Sequence, residues 1–267
     1  MTHYQNKVAV ITGAGAGIGR ALAIDLAIRG ARLALSDVNE AGLEETRQLC
    51  GRAETRCYKV DVSQRAEVDA FAESVQRDFG TAHFLFNNAG VTLIATIEHS
   101  TIEEIEWQLG INLWGVIYGT KAFLPMMLAQ REGHIVNVSS IFGLIGFYGQ
   151  GAYNISKFGV RGLTECLWRE LQGTGVSATT VHPGGIRTQI GTKARYGKYA
   201  TQAESHLTAL LDSTLITPPE VCAREILKGV VKGKRKIVTG HKSRLVDFIS
   251  RLLPTHYHWV IKRDIGI

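Results

Sequence analysis

The sequence predicts an α/β fold with a doubly wound parallel sheet, and three observations carry that reading. Short apolar runs recur along the chain without strict alternation, as expected of strands covered on both faces. Helix-period patterns lie between them, so strands and helices alternate. A glycine-rich turn joins the first apolar run directly to the first helical pattern.

Taken in order, Val8-Ala9-Val10-Ile11 is the first strand candidate. Thr12-Gly13-Ala14-Gly15-Ala16-Gly17-Ile18-Gly19 follows, and Ile18, Ala21, Leu22 and Leu26 then fall on one helical stripe. Leu33-Ala34-Leu35-Ser36 forms a second strand ending at Asp37, and Asp61-Val62 ends a third. A helical pattern over 63–79 leads to Phe84-Leu85-Phe86, a fourth strand followed by Asn88-Ala89-Gly90. The pattern over 101–130 reads as one helix, with Thr101 and Glu104 spaced as a capping box. His134 to Val138 is a strand, Tyr153 to Gln172 a helix, and Ile237-Val238 a last strand candidate. Leu245, Phe248, Ile249 and Leu252 make a helical stripe near the carboxy terminus.

The glycine turn is a phosphate-site candidate. Free N–H groups and the helix dipole at a helix amino terminus both face an anion, and glycines let the backbone approach it. The spacing is G-x-x-x-G-x-G at Gly13, Gly17 and Gly19, with Ile18 where a G-x-G-x-x-G fingerprint would need its last glycine. Asp37 lies 18 residues after Gly19, where a carboxylate can hydrogen-bond adenosine ribose hydroxyls. That charge repels a 2′-phosphate, and its neighbours Ala16 and Val38 are uncharged, so NAD is expected over NADP.

Tyr153 and Lys157 are four apart on a helix and therefore share a face. A free tyrosine, with a pKa of about 10, is a poor base at neutral pH, and an adjacent ammonium is expected to lower that value. Ser140 stands 13 residues before Tyr153 at the end of a strand and can hydrogen-bond a substrate oxygen; Ser139 competes for that role. Asn112 interrupts an apolar helical stretch, and its alternative reading is a buried amide bonded to backbone. His182 reads as a satisfied polar group in packing.

Thr12-Gly13 through Gly19, Asp61-Val62, Asn87 to Gly90, Asn112, Ser139-Ser140, Tyr153 to Lys157, and Pro183-Gly184 with Thr188 together resemble the short-chain dehydrogenase/reductase family. The matching pieces run in family order over roughly residues 5–190. The resemblance implies a Rossmann-like sheet of seven strands in the order 3-2-1-4-5-6-7. It also implies an NAD(P)-dependent alcohol/ketone oxidoreductase with an Asn112-Ser140-Tyr153-Lys157 tetrad. By the same resemblance, Lys157 also holds the nicotinamide ribose and Asn112 holds a water in a proton relay. Asp61 and Val62 would contact adenine, Ile186 and Thr188 the carboxamide, and Asn88 would also serve the cofactor, although it could equally only support the sheet. Homodimers or homotetramers are expected. Alternatives are an NADP-dependent carbonyl or 3-oxoacyl reductase, a sugar-nucleotide epimerase, and an idle NAD-binding regulator.

At 267 residues and 45% hydrophobic, the chain can bury a large core, and no repeat or linker divides it. We expect one catalytic domain over 1–267: a core to 184, a substrate lid over 185–216 and an extension over 240–267. No leader pattern or membrane-length apolar run is evident, and the four cysteines are scattered, which together suggest a cytoplasmic protein with free thiols. No metal site is implied, and no nucleic-acid partner. Ile141, Phe142, Leu144, Ile145, Phe147, Tyr148, Val91, Thr92 and Ile94 are apolar or aromatic candidates for the wall of a hydrophobic alcohol or ketone site, or for core or a subunit contact. Residues 224–267 hold 11 Lys/Arg against 3 Asp/Glu, a net of +8, while the preceding 223 residues net −2. That basic, amphipathic extension could touch an anionic membrane surface, or simply pack with a solvated basic side.

Overall fold

The computed structural model describes residues 3–202, 204 and 214–260. A seven-stranded parallel sheet organises it: β1 Val8–Thr12, β2 Arg32–Asp37, β3 Thr55–Lys59, β4 Phe84–Asn87, β6 Gly133–Val138, β7 Val176–Pro183 and β9 Lys236–Thr239. Their spatial order is β3-β2-β1-β4-β6-β7-β9. Counted within this sheet alone, that is the expected 3-2-1-4-5-6-7. The two extra numbers arise because β5 (Leu93–Ile94) and β8 (Arg195–Tyr196) pair only with each other.

Every residue of β1 and β4 is buried, which explains runs with no polar alternation. Helix α1 (Gly17–Ile28) packs on one face, where Leu22 and Leu26 meet Ile226 and Leu227 of α7 (Pro219–Val231). On the other face, α3 (Arg65–Phe79), α5 (Gly115–Ala129) and α6 (Gly151–Glu170) bring Phe71, Phe123 and Leu167 into a second core. Helix α2 (Glu40–Leu49) runs between β2 and β3. Strand order reverses between β1 and β4, and the loops at the carboxyl ends of the strands open there, where ligands bind in such sheets.

The single helix expected over 101–130 is divided. Helix α4 (Ile102–Leu109) starts with the capping box: Thr101 Oγ1 accepts from the Glu104 N–H, and Glu104 Oε2 accepts from the Thr101 N–H at 2.9 Å. A π turn over Gly110–Trp114 then joins it to α5. The inserted residue leaves the apolar periodicity almost unchanged, so the sequence pattern ran through it; such turns cluster at functional sites. Helix α8 (Ser243–Leu252) follows β9 and buries Val246 and Ile249. Part of the expected lid, residues 203 and 205–213, and the end of the extension, 261–267, lie outside the described residues. Among the described residues no helix is long and apolar enough to cross a membrane.

Candidate active site

One cavity of about 480 Å³ runs along the carboxyl ends of the strands. Gly13, Gly17, Ile18, Asp37, Asp61, Val62, Asn88, Ser140, Tyr153, Lys157, Ile186 and Thr188 all line it. Gly19 and Asn112 do not; each stands behind the wall.

The glycine turn is built for close approach. Gly13 has φ +65°, and a Cβ there would stand 2.7 Å from Ala89 Cα. At Gly19 a Cβ would lie 2.2 Å from the Gly13 carbonyl oxygen, so this glycine lets α1 pack against the turn instead of meeting a ligand. Thr12 and Asn88 fix the turn to the loop after β4. Thr12 Oγ1 accepts from the N–H groups of Asn88 and Ala89 (3.0 and 3.1 Å), and the Asn88 amide donates to the Thr12 and Gly13 carbonyls (3.0 and 3.1 Å). Asn88 therefore braces the turn while lining the cavity. Thr12, the first residue of the motif, acts through this bracing and does not itself line the cavity.

Asp37 ends β2 with its carboxylate oriented by two backbone donors, Gly15 N–H to Oδ2 and Asn39 N–H to Oδ1, both at 2.9 Å. The nearby cation Arg20 is engaged elsewhere: its guanidinium donates to Thr46 Oγ1 at 3.0 Å, the Gly15 carbonyl at 2.6 Å and Glu45 Oε2 at 2.7 Å. Asp61 lies two residues beyond the end of β3, not at its end as expected, and accepts from the Ser63 N–H and hydroxyl (2.9 and 2.7 Å).

At the other end, Ser139 and Ser140 point opposite ways. Ser139 also lines the cavity, but its Oγ donates to the Lys157 carbonyl at 2.7 Å, so its hydroxyl proton is already committed. Ser140 lines the cavity; its Oγ accepts from the Phe142 N–H at 3.1 Å and its carbonyl lies 2.9 Å from His182 Nδ1. His182 is fully buried, and desolvation pushes it down to about 4, so it stands as the neutral packing group expected.

Lys157 Nζ lies 5.5 Å from the Tyr153 ring centroid and donates to the Val138 carbonyl at 3.0 Å. The sequence expectation that Lys157 depresses the Tyr153 pKa needs correction for the protein alone. Burial pushes Tyr153 up to about 12, with the Ser140 hydroxyl pulling the other way, and burial pushes Lys157 down to about 8. Both groups lose hydration together, and desolvation disfavours the charged form of each.

Asn112 is buried in the π turn. Its Oδ1 accepts from the Val91 N–H at 2.8 Å and its amide donates to the Val91 carbonyl at 2.9 Å, as its backbone-bonded reading anticipated. A Cβ at Gly90 would stand 3.3 Å from Asn112 Oδ1 and 3.4 Å from Lys157 Nζ, so that glycine lets both groups converge.

Of the proposed substrate wall, Val91, Thr92, Ile94, Ile141 and Phe142 line the cavity. Leu144 and Ile145 are buried outside it, Phe147 stacks on Phe142 at 4.6 Å, and Tyr148 is exposed. From the expected lid, Ile190 and Lys193 reach the cavity, while Arg195 stacks 3.9 Å over Trp107. Glu204, missed in sequence, is buried and pins this segment by accepting from the N–H groups of Thr96 and Thr201, both at 2.6 Å.

Fold and cavity together define an α/β protein shaped to hold a dinucleotide beside a Ser-Tyr-Lys cluster. The chain belongs to the short chain dehydrogenase family, whose model matches residues 7–198. It is 42% identical to SadH, a candidate oxidoreductase of Mycobacterium tuberculosis (strain CDC 1551 / Oshkosh), over all of this chain and 98% of that one. An uncharacterized oxidoreductase of Staphylococcus aureus (strain MRSA252) is 34% identical over 71% of this chain and 82% of its own length. Among solved structures, a Burkholderia phymatum short chain dehydrogenase/reductase in complex with NAD superposes with a TM-score of 0.87 at 33% identity, covering 97% of each chain. Levodione reductase superposes with a TM-score of 0.79 at 28% identity, covering 90% of this chain and 98% of that one. The chain is thus an oxidoreductase of this family with a site for a nicotinamide cofactor.

Proposed function

We propose that this protein interconverts a secondary alcohol and a ketone with NAD as the preferred cofactor, Tyr153 acting as general acid/base. The observation that carries the reading is the shared cavity: Ser140, Tyr153 and Lys157 stand at one end, the glycine turn and Asp37 at the other. Gly13, Gly15 and Gly17 line the cavity where α1 begins, which suits a pyrophosphate lying against backbone N–H groups at a helix amino terminus. A nicotinamide dinucleotide held by these residues would supply the hydride acceptor or donor and, when oxidised, positive charge that favours the Tyr153 phenolate.

In oxidation Tyr153 takes the proton of the substrate hydroxyl; in reduction its phenol returns a proton to the forming alkoxide. Ser140 Oγ donates to the same oxygen, where charge develops in the transition state. Lys157, mostly protonated below its depressed pKa of about 8, supplies positive charge and reaches for ribose hydroxyls. Asn112 positions Val91 and the wall behind Gly90, and Asp37 holds the other ribose. The apolar Ile94, Ile141 and Phe142 suit a hydrophobic substrate.

Exposed Trp114, Ile155 and Phe158 support a homodimer or homotetramer, which light scattering after gel filtration would measure. For the carboxy-terminal extension we favour packing over membrane contact: Tyr257 Oη accepts from the Gly146 N–H at 2.8 Å, beside the substrate wall.

The direct test is reduced-cofactor absorbance at 340 nm with a panel of secondary alcohols and either dinucleotide. Turnover of an apolar alcohol with NAD ahead of NADP is expected. Preference for NADP would overturn the role given to Asp37, and turnover of nothing in the panel would overturn the alcohol/ketone reading.

A further inference from the structure

Three residues ahead of Tyr153, the loop entering α6 carries a buried amide that the scheme above leaves idle. Gln150 precedes the helix with φ −128° and ψ 30°, and its side chain does not cap it. The residue is 2% exposed, and it lines the cavity. Its Oε1 accepts from Thr92 Oγ1 at 2.9 Å, which fixes the amide plane. Thr92 is held in turn, since the backbone of its neighbour Val91 is clamped by Asn112 and by the Gln108 amide, which donates to the Val91 carbonyl at 3.2 Å.

This leaves Gln150 Nε2, a donor of two hydrogens, with no partner among the described residues. It is absent from the buried atoms sealed away without a partner, so it keeps access to the cavity. A donor oriented in this way and facing the cavity is available to a ligand that accepts from it. Gln150 and Tyr153 line the same cavity three residues apart, so one bound molecule can meet both.

We propose that Gln150 Nε2 donates to a second oxygen of the substrate, on a carbon one or two atoms from the reacting one. The substrate is then an α- or β-oxygenated ketone or its alcohol: a hydroxyketone, a diketone or a 3-oxo ester, with an apolar body along Ile94 and Phe142. The proposal rests on the alcohol/ketone reading and narrows it.

The test compares kcat/KM for 2-octanone with that for 2,3-octanedione, 3-hydroxy-2-octanone and methyl 3-oxooctanoate, in the full-length protein with reduced dinucleotide. The wild type should favour at least one dioxygenated compound by about tenfold or more, because a site built to hydrogen-bond a group rejects analogues that lack it. Gln150→Met should bring that ratio near one, with dinucleotide binding by fluorescence confirming a folded site. Thr92→Val, which frees the amide to turn, should lower the same ratio by a smaller factor. Wild-type activity without an oxygen preference, or a preference that survives both substitutions, would overturn the Gln150 assignment alone. No activity on any ketone would overturn the underlying reading with it.

Discussion

The cofactor end of the cavity and its substrate end are made from different materials. Near Gly13 and Asp37 the wall is backbone: glycines, a braced turn and a carboxylate held by two N–H groups. Near Phe142 and Gln150 it is side chains, drawn from segments at 91–94, 138–150, 183–193 and 214–215. On the proposed function the first end holds a dinucleotide, mostly through groups that all of them share, so its geometry can be fixed by one short local motif. On the same reading the second would meet the substrate, and its composition depends on which distant loops the fold brings together.

Substitutions at each end should separate those two kinds of wall. The largest effect is expected at the substrate end, where Ser140→Ala should lower kcat by about 10²–10³-fold, the usual loss when a donor to developing negative charge is removed. Dinucleotide affinity by titration should stay within a few-fold of the wild type; a comparable loss there would mean that Ser140 shapes the cofactor end too. At the cofactor end, Gly19→Ala places a Cβ 2.2 Å from the Gly13 carbonyl oxygen. It should cost about 2–3 kcal/mol in urea unfolding, as overpacking does, and weaken dinucleotide binding. Wild-type stability would show that the turn yields more easily than its packing implies. Asp37→Asn removes the charge that repels a 2′-phosphate, and the ratio of kcat/KM for NADP over NAD should rise about tenfold, equivalent to about 1.4 kcal/mol. An unchanged ratio would place cofactor choice elsewhere.

The smallest effect concerns pH. Lys157 is held at about 8 when folded, below its ordinary 10.5. Between those values the unfolded chain binds the extra proton, so stability rises with pH across that window by about 1 kcal/mol per pH unit. Lys157→Met lacks this gain. The difference in unfolding free energy, wild type minus variant, should therefore grow from pH 8.5 to 10. A flat or falling difference would contradict the burial of this ammonium.

The sequence revealed more of the cofactor end than of the substrate end, and the reasons are physical. Glycine spacing after an all-apolar strand is a local signal, as is an acid at the next strand's end. Tyr153 and Lys157 share a face by helical periodicity alone. The π turn at Asn112 escaped notice because one inserted residue hardly disturbs a mainly apolar pattern. Choosing between Ser139 and Ser140 was within reach, since consecutive residues of an extended strand point to opposite faces; the resemblance had already favoured Ser140. Gln150, Gly90 and Thr12 carried no separate signal, because their importance lies in what stands opposite them in space. The pKa direction at Tyr153 failed for the same reason: helical spacing reports a neighbouring charge, whereas desolvation is a property of the assembled core.

The central claim is that the Tyr153 phenol moves the proton while the rest of the cavity holds and orients. Single-turnover absorbance at 340 nm of Tyr153→Phe, alongside its dinucleotide dissociation constant, addresses it most directly. The account predicts a fall in the chemical step of at least about 10²-fold, at the lower end of general acid/base contributions, with the dissociation constant within a few-fold of wild type. A chemical step within tenfold of wild type would contradict it.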